Sequence, residues 1–111
     1  MAVKSTLVEN AAPTEIFKAS TGTEYAITTM VFCNSDTTKD AFLDLWVVPN
    51  GGVPGGAINQ ILKTVPVPAK ETFVLDNEKL ILSGGDGIYA QATPNTADLI
   101  INAMVSSVVI S

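Results

Sequence analysis

The sequence contains no histidine and no arginine, so every basic residue is a lysine. Histidine is the commonest general base and the usual activator of serine and cysteine nucleophiles. Nucleic-acid surfaces need clustered positive charge, whereas this chain has a net charge of −5. Its lysines are spread along the chain at Lys4, Lys18, Lys39, Lys63, Lys70 and Lys79. We therefore expect neither an enzyme nor a nucleic-acid-binding protein.

Cysteine is almost absent, because Cys33 is the single thiol among 111 residues. One cysteine can form no disulfide within the chain and no thiolate metal cluster. Since no histidine is present to activate it, we expect Cys33 to be a small buried hydrophobe rather than a nucleophile. The sequence thus predicts no catalytic residue, no metal site and no cofactor.

The chain also lacks any apolar run near the roughly 20 residues that a membrane helix needs. Its beginning, "MAVKSTLVENAAP", reaches an acid after a short apolar stretch, unlike a secretory signal peptide. We expect a chain that stays in the cytoplasm where it is made and has no membrane partner.

What the sequence does contain is short segments rich in β-branched and aromatic residues, separated by turn formers. The predicted strands are residues 3–9, 14–19, 23–33, 40–49, 58–65, 71–75, 79–82, 86–93 and 98–110. Many short strands in one domain of this length predict an all-β fold, a single antiparallel β-sandwich of jelly-roll type. We assign the sandwich to residues 13–111. Residues 1–12 are either an N-terminal arm that adds to a neighbour or an edge strand of their own domain.

Alternate residues of the segment 41–48 define the two faces of a strand. One face is aliphatic, and the other carries Phe42, Asp44 and Trp46. Because Asp44 is costly to bury without a partner, this second face should meet water or another subunit. Phe42 and Trp46 would then be exposed aromatic residues, which are enriched in interfaces. The alternative, which a lone tryptophan slightly favours, is that the chain's own sheet or loop covers Trp46.

The segment 98–110 is apolar on both faces, which predicts a strand that is central or covered from both sides. A sandwich of this size has little material for such cover, so a partner subunit is a reasonable supplier. The segment 86–93 alternates more simply, with Tyr89 outward and three residues inward: Ile88, Ala90 and Ala92. The candidate interface combines the outward aromatic residues with one row of the last strand: Phe42, Trp46, Tyr89, Ile100, Met104, Val108 and Ile110.

The glycine-rich stretch "WVVPNGGVPGGAINQIL", residues 46–62, raises the question of a phosphate-binding loop. A Walker loop needs a lysine and a hydroxyl residue after its last glycine, where this chain has Ala57 and Ile58. We therefore interpret the stretch as a flexible connection between sheets. Acids in the short turns are interpreted as solvated loop residues rather than paired catalytic carboxylates, and they are Asp76, Glu78 and Asp86.

The stretch "NSDTTKD" gives a weak calcium-like pattern. Asn34, Asp36 and Asp40 fall at the first, third and seventh positions of a calcium loop. The central glycine is missing, however, and Leu45 stands where the closing glutamate belongs. Because these side chains are also ordinary turn formers, we favour a turn over a calcium site.

Three stretches carry a family resemblance: "TEYAITTMVFCNSDTTKDAFLDLWVVPNGG", "ILKTVPVPAKETFVLDNEKLILSGGDGIYAQA" and "TADLIINAMVSSVVIS". In order, they give a strand ending in asparagine, a polar turn, a strand ending in a glycine loop, a proline bend and a G-D-x-I motif. The matching residues are Asn34, Pro66, Pro68, Leu82, Gly85, Asp86 and Ile88. In this order the chain resembles small β-sandwich proteins of tailed-bacteriophage particles. The "PAK" turn departs from the "PAG" of most such proteins.

The resemblance implies a virion structural protein, and a single acidic domain favours a capsid decoration or cement protein on the capsid exterior. Such a protein would assemble in the host cytoplasm, contact the major capsid protein or other virion proteins, and form a homo-oligomer, either a trimer or a dimer. A neck or tail component is one alternative. The other is an adhesion module that binds host glycans through Trp46, Tyr25 or Tyr89.

Overall fold

The structure is a computed structural model that describes residues 2–8, 12–55, 58–93 and 101–110. Across these residues the chain forms eight strands: β1 (Ala2–Val8), β2 (Thr14–Lys18), β3 (Tyr25–Asn34), β4 (Ala41–Val48), β5 (Gln60–Val67), β6 (Thr72–Leu82), β7 (Gly87–Thr93) and β8 (Ile101–Val109). In the same described ranges it forms no helix, and therefore none that could cross a membrane.

The strands form two four-stranded sheets that pack against each other. The first sheet has the order β1-β8-β3-β6, and the second has the order β2-β7-β4-β5. Each strand of the first half pairs antiparallel with its mirror partner of the second half: β1 with β8, β2 with β7, β3 with β6 and β4 with β5. This nested pairing is the strand order of a jelly roll, so the predicted all-β antiparallel sandwich is confirmed.

The core lies between the two sheets and takes alternate residues from every strand that crosses it. Its largest buried side chains are Phe32, Ile16, Ile27, Met30, Leu43, Leu45, Leu82, Ile88 and Ile101. On β7 the predicted inward row is confirmed, because Ile88, Ala90 and Ala92 are all buried. The two-faced apolar pattern of β8 also has the predicted consequence, since this strand lies centrally in its sheet, between β1 and β3.

One predicted pair of strands is a single strand. The turn expected at "DNE" does not form, and β6 runs unbroken from Thr72 to Leu82. Its pairing with β3 jumps from Asp76, opposite Thr29, to Leu80, opposite Ile27. Residues 77–79 therefore bulge opposite one residue of β3. Both flanks of the bulge pair with β3, so the turn-forming residues lie within one continuous strand and the chain does not reverse there.

The N-terminal segment forms an edge strand of its own sheet. β1 pairs with β8 over its whole length, from Ala2 opposite Ser107 to Val8 opposite Ile101. The side chain of Val8 is buried in the core, which anchors the end of the strand. In the structure this terminus therefore belongs to its own domain, and exchange with a neighbour would first have to break this pairing.

Candidate docking surface

The outer surface of the first sheet is formed by side chains that alternate with the core residues of β1, β8, β3 and β6. We call this surface the open face and define it by Val3, Ser5, Leu7, Asn102, Met104, Ser106, Val108, Ala26, Thr29, Val31, Cys33, Thr72, Val74, Asp76 and Ile81. Five of its large apolar side chains are exposed: Val3, Leu7, Val74, Ile81 and Met104. Apolar exposure of this extent on one sheet surface is typical of a docking site.

The strand register places the centre of the open face at Met104. Directly across the sheet, Met104 lies opposite Ser5 of β1 and Val31 of β3, and Val31 lies opposite Val74 of β6. Side chains opposite one another across a sheet are neighbours, about 5 Å apart. The row therefore forms a continuous apolar strip over three adjacent strands, with Met104 46% exposed.

Charge is sparse on the open face. Among its described side chains, the one ionisable carboxylate is Asp76, which lies on the edge strand β6 and accepts a hydrogen bond from Thr29 Oγ1 at 3.2 Å. The other polar members are hydroxyl and amide residues, which are cheap to desolvate compared with a charge. An apolar centre with its charge at the rim is the usual anatomy of a protein interface.

Cys33 belongs to the open face, which corrects the expectation of a buried thiol. It lies opposite Asn102 and Thr72 in the outward row of β3 and is partly exposed. The inward row of the same strand is occupied instead by its neighbours Phe32 and Asn34, which are buried. A cysteine beside these inward residues must point outward, because successive side chains of a strand alternate.

The outer surface of the second sheet has a different character. We call it the covered face and define it by Phe42, Asp44, Trp46 and Val48 of β4, Tyr89, Gln91 and Thr93 of β7, and Glu15 of β2. Trp46 is only 4% exposed. It is therefore not an exposed interface residue, and the alternative that the chain itself covers Trp46 is the correct one.

The glycine-rich connection after β4 packs against the end of the same strand. Gly52 lies so close to the strand that an added Cβ would be 3.0 Å from Val48 Cγ1 and 3.2 Å from the Pro49 carbonyl oxygen. The loop is linked to the turn before β7, because the Asn50 N–H donates a hydrogen bond to Asp86 Oδ1 at 2.9 Å. A carboxylate at this loop repels phosphate, so the local chemistry supports a structural connection rather than an anion site.

Asp44 finds its partners within the chain. Its Oδ1 accepts hydrogen bonds from the Thr64 N–H at 2.9 Å and from Gln60 Nε2 at 3.1 Å. Both donors lie on β5, where the register against β4 shifts and Thr64 has a φ of 54°. Asp44 is half-buried and Phe42 on the same face is exposed, so this face does meet water in part, and the irregular β5 also turns a backbone N–H toward Asp44.

Tyr89 is half-buried beside Trp46 and opposite Glu15. Its hydroxyl donates to Glu15 Oε1 at 3.4 Å. Desolvation by burial, followed by the nearby Glu15 carboxylate, raises the pKa of the Tyr89 hydroxyl. Tyr25 is also engaged, because its ring packs edge-on against Phe17 with centroids 5.2 Å apart. These aromatic side chains thus make contacts within the sandwich.

The "NSDTTKD" segment is a tightly bonded turn. The buried Asn34 side chain donates to the carbonyl oxygens of Lys39 at 2.9 Å and Val67 at 3.0 Å. Asp36 Oδ1 accepts the N–H groups of Thr38 at 2.8 Å and Lys39 at 2.9 Å. These backbone hydrogen bonds, aided by the charge of Lys39, hold the pKa of Asp36 below its ordinary value of 3.8. One oxygen of each candidate calcium ligand therefore already accepts a backbone N–H, since Asn34 Oδ1 accepts that of Asp36 and Asp40 Oδ1 accepts that of Ala69, both at 3.0 Å.

The remaining candidate carboxylates have separate structural duties. Asp76 lies on the open face, whereas Asp86 caps the turn before β7, with Oδ2 accepting the Ser83 N–H at 3.0 Å. The Glu78 side chain lies outside the described part. Within the described ranges, no group of three or more acidic, histidine or cysteine side chains could hold a metal ion.

The predicted interface residues fall in different places. Met104 and Val108 lie on the open face, and the exposed Ile110 follows β8 at its end. Phe42 is exposed on the covered face, where Tyr89 is half-buried and Trp46 is buried. Ile100 lies outside the described residues. The candidate interface is therefore not one surface, and only its β8 part belongs to the open face.

Sequence reasoning missed four exposed members of the open face: Val3, Leu7, Val74 and Ile81. Alternation within "VKSTLV" identifies Val3 and Leu7 as residues of one face, so a period of two was available there. Val74 and Ile81 could not be assigned to one face in this way, because the bulge between them breaks the alternation.

No protein-family model matches the chain, and no curated protein sequence matches it either. The fold therefore defines the class of protein, an antiparallel jelly-roll sandwich. Its function has to be inferred from the surfaces of the sandwich.

Proposed function

We propose that the chain is a structural protein of a bacteriophage virion, most specifically a capsid decoration or cement protein. In this role it bridges major capsid subunits on the exterior of the expanded head and stabilises them. The observation that carries the proposal is the open face, a nearly uncharged sheet surface with five exposed large apolar side chains. Such a surface is suited to docking rather than to turnover of a small molecule.

The charge of the chain supports an exterior position. The net charge of −5 would be repelled by packaged DNA, whereas it is compatible with the outer surface of a shell. The resemblance outline is also consistent with this role, because its residues Asn34 and Asp86 fix turns at the sandwich ends rather than build a reactive site. A neck or tail component would use the same docking surface in fewer copies.

Attachment at several weak points would give the protein its stabilising effect. Each copy buries a modest area, and repeated copies on a symmetric shell add their attachment free energies through multivalency. No single contact with the shell then has to be strong.

The test is the stoichiometry of the chain in purified particles from cells that produce it. A protein attached to a symmetric shell occurs once for each of many equivalent shell positions. Quantitative mass spectrometry against the most abundant shell protein should therefore find hundreds of copies of a decoration protein. A small fixed number, such as about six or about twelve, would assign it to the neck or tail. If particles that contain all their other structural proteins contain no copy of this chain, the virion proposal is wrong.

A further inference from the structure

We propose that the open face binds the open face of a second copy, so that two sandwiches stack through their β1-β8-β3-β6 sheets. The inference rests on the docking role proposed for this face and specifies its occupant. It assigns to the chain a two-fold pair in which Met104 and Val31 lie at the centre and Asp76 at the rim. The pair would present two equivalent copies of every other surface, which is what a protein that bridges two shell subunits requires.

Pairing through the edges of the second sheet is disfavoured by the edge strands themselves. β2 has only five residues and a register shift between Glu15 and Phe17. β5 contains Pro66, which donates no backbone hydrogen bond, and Thr64 with its positive φ. Short, bulged and proline-containing edges are the devices by which proteins prevent sheet extension.

The edges of the first sheet carry comparable devices. Lys4 of β1 lies opposite the buried Val105, so a lysine occupies the inward row of an edge strand. On β6, the bulge at residues 77–79 interrupts the regular row of backbone groups. A second copy is therefore directed away from edge-to-edge pairing and toward a sheet surface.

Electrostatics selects the open face among the sheet surfaces. Two copies of net charge −5 repel each other, so contact requires a surface that contributes little to that charge. The covered face carries Asp44 and Glu15, whereas the described side chains of the open face include one carboxylate, Asp76, on its edge strand. Such a surface offers an oppositely charged partner no electrostatic attraction. A second nearly uncharged sheet can pack against it without charge repulsion.

The available area is sufficient for a specific pair. Four strands at about 4.8 Å spacing and seven residues at about 3.3 Å per residue give a projected area of roughly 440 Å² per copy. Two copies therefore remove roughly 900 Å² of projected area, and more of accessible surface because side chains are corrugated. With that corrugation the buried accessible surface approaches the roughly 1,200 Å² lower limit of stable interfaces, so we expect a pair that forms only as concentration rises.

Sedimentation velocity of the full chain over micromolar to near-millimolar concentrations tests the pair. We expect the mass to rise from 11.6 kDa to twice that value. Met104→Glu places a charge at the centre of the stack and should weaken association by at least about tenfold. The matched control is Ile61→Glu, because Ile61 is 49% exposed on β5 while Met104 is 46% exposed, and it should associate like the wild type. Circular dichroism verifies that both variants are folded.

The single thiol supplies a second measurement that needs no substitution. Cys33 lies on the open face and is partly exposed, so a maleimide should modify it readily in a dilute sample. As concentration rises, the fraction modified in a short pulse should fall several-fold in the wild type and in Ile61→Glu. In Met104→Glu the same fall should require a concentration at least about tenfold higher.

Three results would overturn the pairing. They are a wild type that remains monomeric over the whole range, an oligomer in which Cys33 reacts as fast as in the monomer, and equal weakening by both variants. These results are separable from the proposed function. A monomeric chain found in particles would retain the virion role and refute the pair, whereas a dimer absent from particles would do the reverse.

Discussion

The two outer faces of this sandwich differ although both belong to four-stranded sheets of similar size. On the covered face, Trp46 is buried and Asp44 is hydrogen-bonded by β5. On the open face, Met104 and Val74 remain exposed in the middle of an apolar strip. The comparison teaches that two sheets of one sandwich can differ in how far the centre of the outer surface is buried, since Trp46 is 4% exposed and Met104 is 46% exposed.

The source of the difference is local. The connection after β4 packs against the end of that strand, with Gly52 beside Val48, and the irregular β5 turns its Thr64 N–H toward Asp44. The strands of the open face pair in regular register apart from the bulge near Thr28. Regular strands present flat rows of side chains, and a flat apolar surface is easily matched by another sheet.

The largest expected effect separates the faces by stability. Trp46→Ala should lower the free energy of unfolding by about 3 kcal/mol or more, because a large buried aromatic side chain leaves a cavity. Met104→Ala should change it by less than about 1 kcal/mol, because nearly half of that side chain is in water. Urea denaturation at a protein concentration well below the Kd of the proposed pair measures both values.

The comparison would break if the two substitutions had similar costs. A small loss for Trp46→Ala would mean that its cover is weak and that both faces are open. Phe42→Ala is the matched control on the covered face, because Phe42 lies on the same side of β4 and is 38% exposed. Its cost should lie between those of the other two substitutions.

A smaller effect is expected for the polar contact that completes the covered face. Asp44→Ala removes the acceptor of the Thr64 N–H and of Gln60 Nε2, which should cost about 1–2 kcal/mol. Asp44→Asn retains an oxygen at this position and should cost less. Equal losses for the two variants in urea denaturation would show that the carboxylate charge, rather than the acceptor geometry, is what matters.

The sequence predicted much of the fold, because alternation and turn formers are local signals. The inward rows of β7 and β8 could be assigned from Ile88, Ala90, Ile101 and Ala103, all of which are buried. The "DNE" turn was wrong because a bulge and a turn use the same residue types, and the choice depends on the pairing of both flanks with β3.

The site was predictable only in part. Met104 and Val108 could be assigned to an outward row of β8, but the assembly of that row with β1, β3 and β6 depends on strand order. Trp46 illustrates the opposite limit, because alternation assigns its side of β4 but does not show that this side is buried at that position. A single strand shows which residues share a side, whereas burial of that side is decided by tertiary structure.

The smallest expected effect comes from a group outside both faces. The folded-state pKa of Asp36 is lowered by the Thr38 and Lys39 N–H groups, so its contribution to stability is present above the ordinary carboxyl value and is lost as pH falls through the lowered one. Asp36→Asn keeps an oxygen acceptor without a titratable charge. The Tm of the wild type should therefore fall more steeply than that of Asp36→Asn from pH 5 to about pH 3. Asp36 is not part of the open face, so both proteins should pair to the same extent at neutral pH. A difference between them in sedimentation velocity would show that this turn affects the interface, which would contradict the assignment of pairing to the open face alone.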